Sequence, residues 1–309
     1  YTYAHIGNTD LFRNHLFIHW NEMDVLGRIY VAQEGINAQL SVPAENFNIF
    51  KEHLDSISFL ENVRLNIAIE QDNLSFLKLK IVADGLNDNS FDVTNKGIHV
   101  DAERFNELIE DPDTVLVDMR NHYESEIGHF KNAVTPDVDT FRDSLDIIER
   151  DLADHKKDKK LVMYCTGGIR CEKASAYYKH KGFEQVYQLE GGIIEYTRQV
   201  ENKNLENKFR GKNFVFDHRR GERISNDVIS NCHQCGEPCD EHVNCANEAC
   251  HLLFIQCTSC AEKMNDCCSD ACKEVHELPF EEQKALRKGK VVSNKIFKKG
   301  RSEVLKFKK

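Results

Sequence analysis

Ten of the twelve cysteines crowd into residues 232–272, eight of them in four short pairs: Cys232-x2-Cys235, Cys245-x4-Cys250, Cys257-x2-Cys260 and Cys268-x3-Cys272. A segment this short and this poor in apolar residues needs staples to fold. Disulfides would require an oxidising compartment, and the chain shows no signal-peptide pattern. Four short thiol pairs fit two structural four-cysteine zinc sites, because no ligand position looks open. First pair with third and second with fourth would give a cross-braced module. Consecutive pairing is the alternative, and spacing does not decide between them. Cys239 and Cys267 are left over, and His233, His242 and His251 stand as substitute ligands. An iron–sulfur cluster fits less well, since Cys-x2-Cys knuckles favour tetrahedral zinc. Chelation is expected to loosen this module while the preceding domain stays folded.

The other two cysteines lie in Tyr164-Cys165-Thr166-Gly167-Gly168-Ile169-Arg170-Cys171. An apolar strand, Lys160–Tyr164, runs directly into Cys165, and Cys171, Ala174 and Tyr178 mark one face of a following helix. Gly167 and Gly168 let the backbone curl so that its N–H groups point inward. The helix N-terminus and Arg170 add positive charge, and all three features stabilise a thiolate on Cys165. The bland alternative is a buried structural cysteine near a tight turn. Strand, glycine pair, helix start and arginine together make it the weaker reading. The Cys-x4-Arg loop is one residue shorter than the Cys-x5-Arg loop of cysteine phosphatases. It resembles the loop of rhodaneses, which carry sulfur as a persulfide.

Around this loop the chain divides into three expected domains. Residues 1–93 read as strand, helix, strand, strand, helix, strand, a ferredoxin-like α+β order. Leu11, Phe12, His15, Leu16 and Trp20 mark the first helix, Glu34-Gly35-Ile36 a hairpin turn, and Phe47, Phe50, Leu54 and Ile57 the second helix. Alternation over Val63–Ile69 and Leu77–Ile81 closes the domain. Residues 94–205 alternate strands (Thr114–Met119, Lys160–Tyr164, Val186–Leu189) with helices, which argues a parallel sheet. Residues 206–309 hold the cysteine module and a basic tail.

Charge is as uneven as cysteine. Residues 1–200 carry 21 basic and 34 acidic side chains, whereas residues 284–309 carry 11 basic and one acidic. A basic tail on an acidic body suits a polyanion partner, and a merely solvated tail is the alternative. Lys208, Arg210, Lys212, Arg219, Arg220 and Arg223, with Phe214 and Phe216 interleaved, read either as phosphate contacts with base-stacking rings or as a packed linker. No stretch approaches the roughly 18 to 20 apolar residues of a membrane span. With reduced thiols, a cytoplasmic protein is expected.

Several runs then combine into a family resemblance. They are Gly27-Arg28-Ile29-Tyr30-Val31-Ala32-Gln33-Glu34-Gly35-Ile36-Asn37-Ala38-Gln39, Asp118-Met119-Arg120-Asn121-His122-Tyr123-Glu124, Cys165 to Lys173, Glu190-Gly191-Gly192-Ile193 and Cys232-His233-Gln234-Cys235-Gly236. In order and over nearly the whole chain, they resemble the bacterial rhodanese-domain tRNA uridine hydroxylases. The resemblance implies an acylphosphatase-like N-domain, an α/β rhodanese domain with a parallel sheet and a Cys-rich zinc-binding C-domain. It implies oxygen-dependent formation of 5-hydroxyuridine at the wobble position, with the tRNA anticodon loop as partner. It also implies that Cys165 is the functional thiol and that Asp118 and Arg120 end a strand near the active loop. One departure is visible: the family's few extra, often basic, residues between Lys80 and Ile81 are absent, so either the loop is short here or this numbering omits those residues, and an RNA contact from this loop is put in doubt.

The expected site therefore comprises Cys165, Arg170, Asp118 and Arg120 for chemistry, and Gly167, Gly168, Arg210, Lys212, Arg219 and Arg220 for substrate. Two zinc ions are expected on Cys232, Cys235, Cys245, Cys250, Cys257, Cys260, Cys268 and Cys272. Molecular oxygen is the implied co-substrate, and no flavin or nicotinamide fingerprint occurs. Thiolate attack on uracil C6 would make C5 electron-rich enough to meet oxygen, while a Cys165 persulfide could act as nucleophile or reductant. Two other functions compete: a plain sulfurtransferase working through that persulfide, and a non-enzymatic RNA- or protein-binding module.

Overall fold

The computed structural model describes residues 1–65, 67, 76, 78–83, 91–138, 140–215 and 220–288. Two compact units emerge: residues 1–97 with 172–181, and residues 98–171 with 182–309.

In the first unit the expected order of elements appears as β1 (Thr2–Tyr3), α1 (Thr9–Glu22), β2 (Leu26–Ala32), β3 (Gly35–Ser41), α2 (Phe47–Asp55) and β4 (Leu79–Ala83). The Asn8 side chain accepts from the Leu11 N–H and starts α1. Leu16 and Trp20, one turn apart, then face inward with Ile29, Val31, Phe50 and Leu54. The sheet order is β1-β3-β2-β4, with β2 parallel to β4 and the other pairs antiparallel. Ala32 pairs with Gly35, so the hairpin turn is Gln33-Glu34, one residue before the expected position. Lys80 and Ile81 are consecutive in β4, opposite Arg28 and Ile29, which leaves no loop at the family's insertion point. Of the strand expected over Val63–Ile69, residues 63–65 and 67 are in no strand, and residues 66, 68 and 69 lie outside the described residues.

The second unit is built on a four-stranded, all-parallel sheet in the order β5-β9-β8-β6. Its elements run β5 (Ile98–Val100), α3 (Ala102–Glu110), β6 (Thr114–Asp118), α4 (His122–Glu126), β7 (Gly128–Phe130), α5 (Phe141–Asp151), β8 (Lys160–Tyr164), α6 (Ile169–His180), β9 (Gln185–Leu189) and α7 (Gly192–Lys203). Of α6, only the stretch up to Cys171 counts with this unit. Continuous apolar runs in β6 and β8 follow from burial on both faces of a parallel sheet. Phe105, Phe130, Tyr164, Tyr196 and Phe209 meet edge to face at the centre of the core.

Beyond α7, β10 (Phe209–Asn213) pairs antiparallel with β7 and with β11 (Glu222–Arg223). The hairpin β12 (His242–Asn244) and β13 (Leu253–Ile255) follows, then α8 (Thr258–Met264), α9 (Asp270–His276) and α10 (Phe280–Arg287). Ile255, Cys232 and Phe214 pack in one apolar cluster with Tyr123 and Ile127 from the α4 region. The cysteine module thus shares a core with the parallel-sheet domain. The basic tail beyond residue 288 lies outside the described residues. No described helix is long and apolar enough to cross a membrane.

Candidate active site and metal centres

The inner strand β8 ends at Tyr164 and delivers Cys165 to the C-terminal edge of the parallel sheet, where open α/β sheets place their chemistry. The loop is fixed from behind by α7. The Ile193 and Ile194 N–H groups donate to the carbonyls of Cys165 and Thr166, at 3.0 and 3.2 Å. A Cβ on Gly192 (φ +63°) would sit 2.4 Å from the Cys165 carbonyl oxygen and 2.6 Å from the Gly168 nitrogen. Only glycine admits this approach. With its carbonyls turned toward α7, the loop directs N–H groups at the Cys165 sulfur.

Cys165 is 1% exposed. Burial by itself would raise its thiol. A hydrogen bond from the Cys171 thiol, the charge of Arg170 and the backbone N–H groups of Cys171 and Arg170 outweigh burial and bring it down to about 6. Burial and the donated bond push Cys171 well up, so Cys171 stays a neutral donor. Arg170 is held in turn by Glu124, with Nη1 to Oε1 at 2.6 Å and Nη2 to Oε2 at 2.8 Å. Glu124 is fully buried, and it also accepts from the Thr166 hydroxyl at 3.4 Å and from the Asn121 N–H in a capping box that starts α4. Burial would weaken the Arg170 charge, but the two-pronged pairing with Glu124 more than restores it. Glu124 was not among the expected site residues. The Asn121-x2-Glu124 spacing signals a cap, while its partner Arg170 is 46 positions away.

Asp118 and Arg120 form a fully buried ion pair. Arg120 donates through Nε and Nη2 to the Asp118 carboxylate and through Nη2 to the Gly128 carbonyl, at 2.6 Å. Its guanidinium lies over the Tyr164 and Phe209 rings. Zero exposure makes the pair a brace between β6, β7 and β8.

The expected substrate residues scatter. Gly167 is half-buried and Gly168 buried in the loop, and Arg210 is exposed on β10. Lys212 is buried in ion pairs with Asp240 and Glu241. Lys208 pairs with Glu110 and Glu206, and Arg223 with Asp240. Arg220 is half-buried and donates to the His242 carbonyl at 3.3 Å. Arg219 and Phe216 lie outside the described residues. Phe214 packs edge-on against Tyr123 and His242, which supports the packed-linker reading over base stacking.

Two cysteine clusters complete the second unit. Cys232, Cys235, Cys257 and Cys260 form one, and Cys245, Cys250, Cys268 and Cys272 the other. The pairs therefore interleave, first with third and second with fourth. In each cluster the sulfurs all lie within 4.8 Å of one another. The separations Cys235–Cys257 (3.6 Å), Cys250–Cys268 and Cys268–Cys272 (both 3.7 Å) match the edge of about 3.8 Å of a tetrahedron with 2.3 Å metal–sulfur bonds. The Cys257 and Cys268 N–H groups donate to the sulfurs of Cys232 and Cys245, and Cys260 and Cys272 lie in the first turns of α8 and α9. Both features favour thiolates, so the donor sets fit a soft or borderline divalent cation. Cys239 and Cys267 stay outside both clusters. His233 is not available as a ligand: Nδ1 accepts from the Ile255 N–H and Nε2 meets Glu126 at 2.9 Å.

Residues 1–84 match the UPF0176 acylphosphatase-like domain, residues 101–199 the rhodanese-like domain and residues 210–273 the rhodanase C-terminal family. The chain is 54% identical over 97% of its length to proteins named tRNA uridine(34) hydroxylase from Leptospira interrogans and Pectobacterium atrosepticum, covering 83% and 86% of them. A third, from Photorhabdus laumondii, is 53% identical and covered to 87%. The chain belongs to the tRNA uridine(34) hydroxylase family. Its architecture is that family's: an acylphosphatase-like domain, a central rhodanese domain and a C-terminal region able to bind metal. Membership favours a hydroxylating enzyme over the rival sulfurtransferase.

Proposed function

We propose that this protein hydroxylates C5 of the wobble uridine, position 34, in the tRNA anticodon loop, with molecular oxygen as co-substrate and Cys165 as the reactive thiol. The observation that carries the reading is a buried thiol lowered to about 6 and paired with a buttressed arginine, in a chain of this family. A wobble base already lies in a single-stranded loop, so it can enter a pocket without breaking a duplex. Addition of the Cys165 thiolate to C6 raises electron density at C5. One oxygen atom ends on C5 and the other leaves as water, which takes two electrons and two protons from a thiol-class reductant.

Arg170 and the loop N–H groups keep Cys165 ionised, and Glu124 keeps Arg170 aimed. Asp118 and Arg120 hold the strand ends beneath them. Zinc is the cation we assign to the two four-cysteine clusters, where it staples the module that packs on α4. We place the reaction in the cytoplasm, where tRNA and reduced thiols coexist. Mass analysis of position 34 in tRNA from a deletion strain tests the reading: loss of 5-hydroxyuridine, restored by this chain, is expected. Normal modification in the deletion strain refutes it.

A further inference from the structure

Away from the thiol loop, the first unit carries a histidine cluster that the proposed reaction does not use. His15 and His19 stand one turn apart on α1, and His53 faces them from α2. One ring nitrogen from each lies within 4.8 Å of the other two. Two histidines at i and i+4 on one helix face can chelate a single metal ion, and a third imidazole from a neighbouring helix completes a facial set.

We propose that His15, His19 and His53 form a binding site for a divalent late-transition cation that clamps α1 to α2 and leaves its remaining positions to solvent. Imidazole donors suit zinc, nickel and copper. Metal–nitrogen bonds of about 2.1 Å in a tetrahedral centre need nitrogens about 3.4 Å apart, so each ring closes in by less than about 1 Å. His15 is exposed and His19 half-buried, so both have room to turn.

His53 is the anchor. Its Nδ1 accepts a hydrogen bond from Trp20 Nε1–H at 3.1 Å, so the neutral ring carries its proton on Nε2. That Nε2 is buried and has no hydrogen-bond partner. A cation supplies the missing partner once the ring proton moves from Nε2 to Nδ1. The ring stays neutral, and the Trp20 N–H gives up its acceptor. Metal binding is thereby wired to Trp20, the only tryptophan in the chain.

The test uses the untagged, full-length protein with its cysteine sites filled as purified, titrated with nickel(II) while Trp20 emission is followed. A saturable, one-to-one loss of emission is expected. His15→Ala and His19→Ala should each weaken nickel binding at least about tenfold without altering the metal-free emission, because neither touches the Trp20 bond. The double variant should abolish the response. No saturable change overturns the proposal. So does quenching of unchanged affinity in both single variants, the result expected if nickel were entering the cysteine clusters instead.

Discussion

Replacing Arg170 by Gln removes the one full positive charge that faces Cys165 while keeping a side chain able to bond Glu124. In the native loop the thiol lies at about 6, against an ordinary value of 9.0. At pH 7 that difference makes the group about nine-tenths ionised rather than about one-hundredth. An opposite charge at this range lowers an ionisable group by about 1–3 units, so the substitution should raise the thiol by that amount. The rate at pH 7 is a poor readout. Thiolate nucleophilicity rises with basicity, with a slope of about 0.4–0.5, so a full three-unit rise costs about ninetyfold in thiolate but returns about sixteen- to thirtyfold in reactivity. The net loss is only about three- to sixfold. The midpoint of the pH profile has no such compensation. Alkylation of Cys165 by a small haloacetamide, followed on its own peptide across pH 5–10, should show a midpoint near 6 in the native protein, displaced upward in Arg170→Gln. A midpoint that stays near 6 in the variant would falsify the claim that Arg170 sets the ionisation of Cys165.

Other outcomes follow from the same geometry. Cys165→Ser should abolish 5-hydroxyuridine formation and leave the fold intact; normal modification in cells carrying only this variant removes Cys165 from the chemistry. Gly192→Ala should displace the thiol loop through the 2.4 Å approach to the Cys165 carbonyl, costing at least tenfold in hydroxylation, and wild-type activity would count against the α7 support. Elemental analysis should give two zinc ions per chain, and a coloured iron protein would overturn that assignment. Stability should also track pH through Cys165. Its folded value is depressed below the ordinary 9.0, so the contribution is full above that value and fades as pH falls through about 6. A denaturation midpoint difference between native and Cys165→Ser proteins that does not shrink on acidification would contradict this.

What sequence could tell depended on how local the determinant was. The thiol loop was readable because strand, glycines, helix start and arginine follow one another within eleven residues, and β8 has the bounds the apolar run suggested. The cysteine spacing marked four pairs but not their partners, since interleaving depends on where the β12–β13 hairpin places them. Basic residues in and around β10 looked alike in composition. Folding made them different: Lys212 and Lys208 took acidic partners, Phe214 took Tyr123, and Arg210 stays exposed. Glu124 was read only as part of a family run, because a carboxylate has no local signature for an arginine 46 positions further on.

The cysteine module and the thiol loop are joined through α4. One face of that region meets the cysteine module: Tyr123 and Ile127 pack with Phe214, Cys232 and Ile255, and Glu126 reaches His233. The same short helix carries Glu124, which holds Arg170 against Cys165. A module read from sequence as separable is therefore positioned to brace the active loop. Removing metal should free Cys232 and Cys257, loosen the Ile255–His233 seam and let α4 drift, so that Glu124 no longer aims Arg170. The expected signature is an upward shift of the Cys165 alkylation midpoint on chelation, in the same direction as Arg170→Gln and not additive with it, because both act through one ion pair. A chelated protein whose cysteine module has loosened while Cys165 still titrates near 6 would show that α4 is rigid by itself, and that the metal supports only the module that binds it.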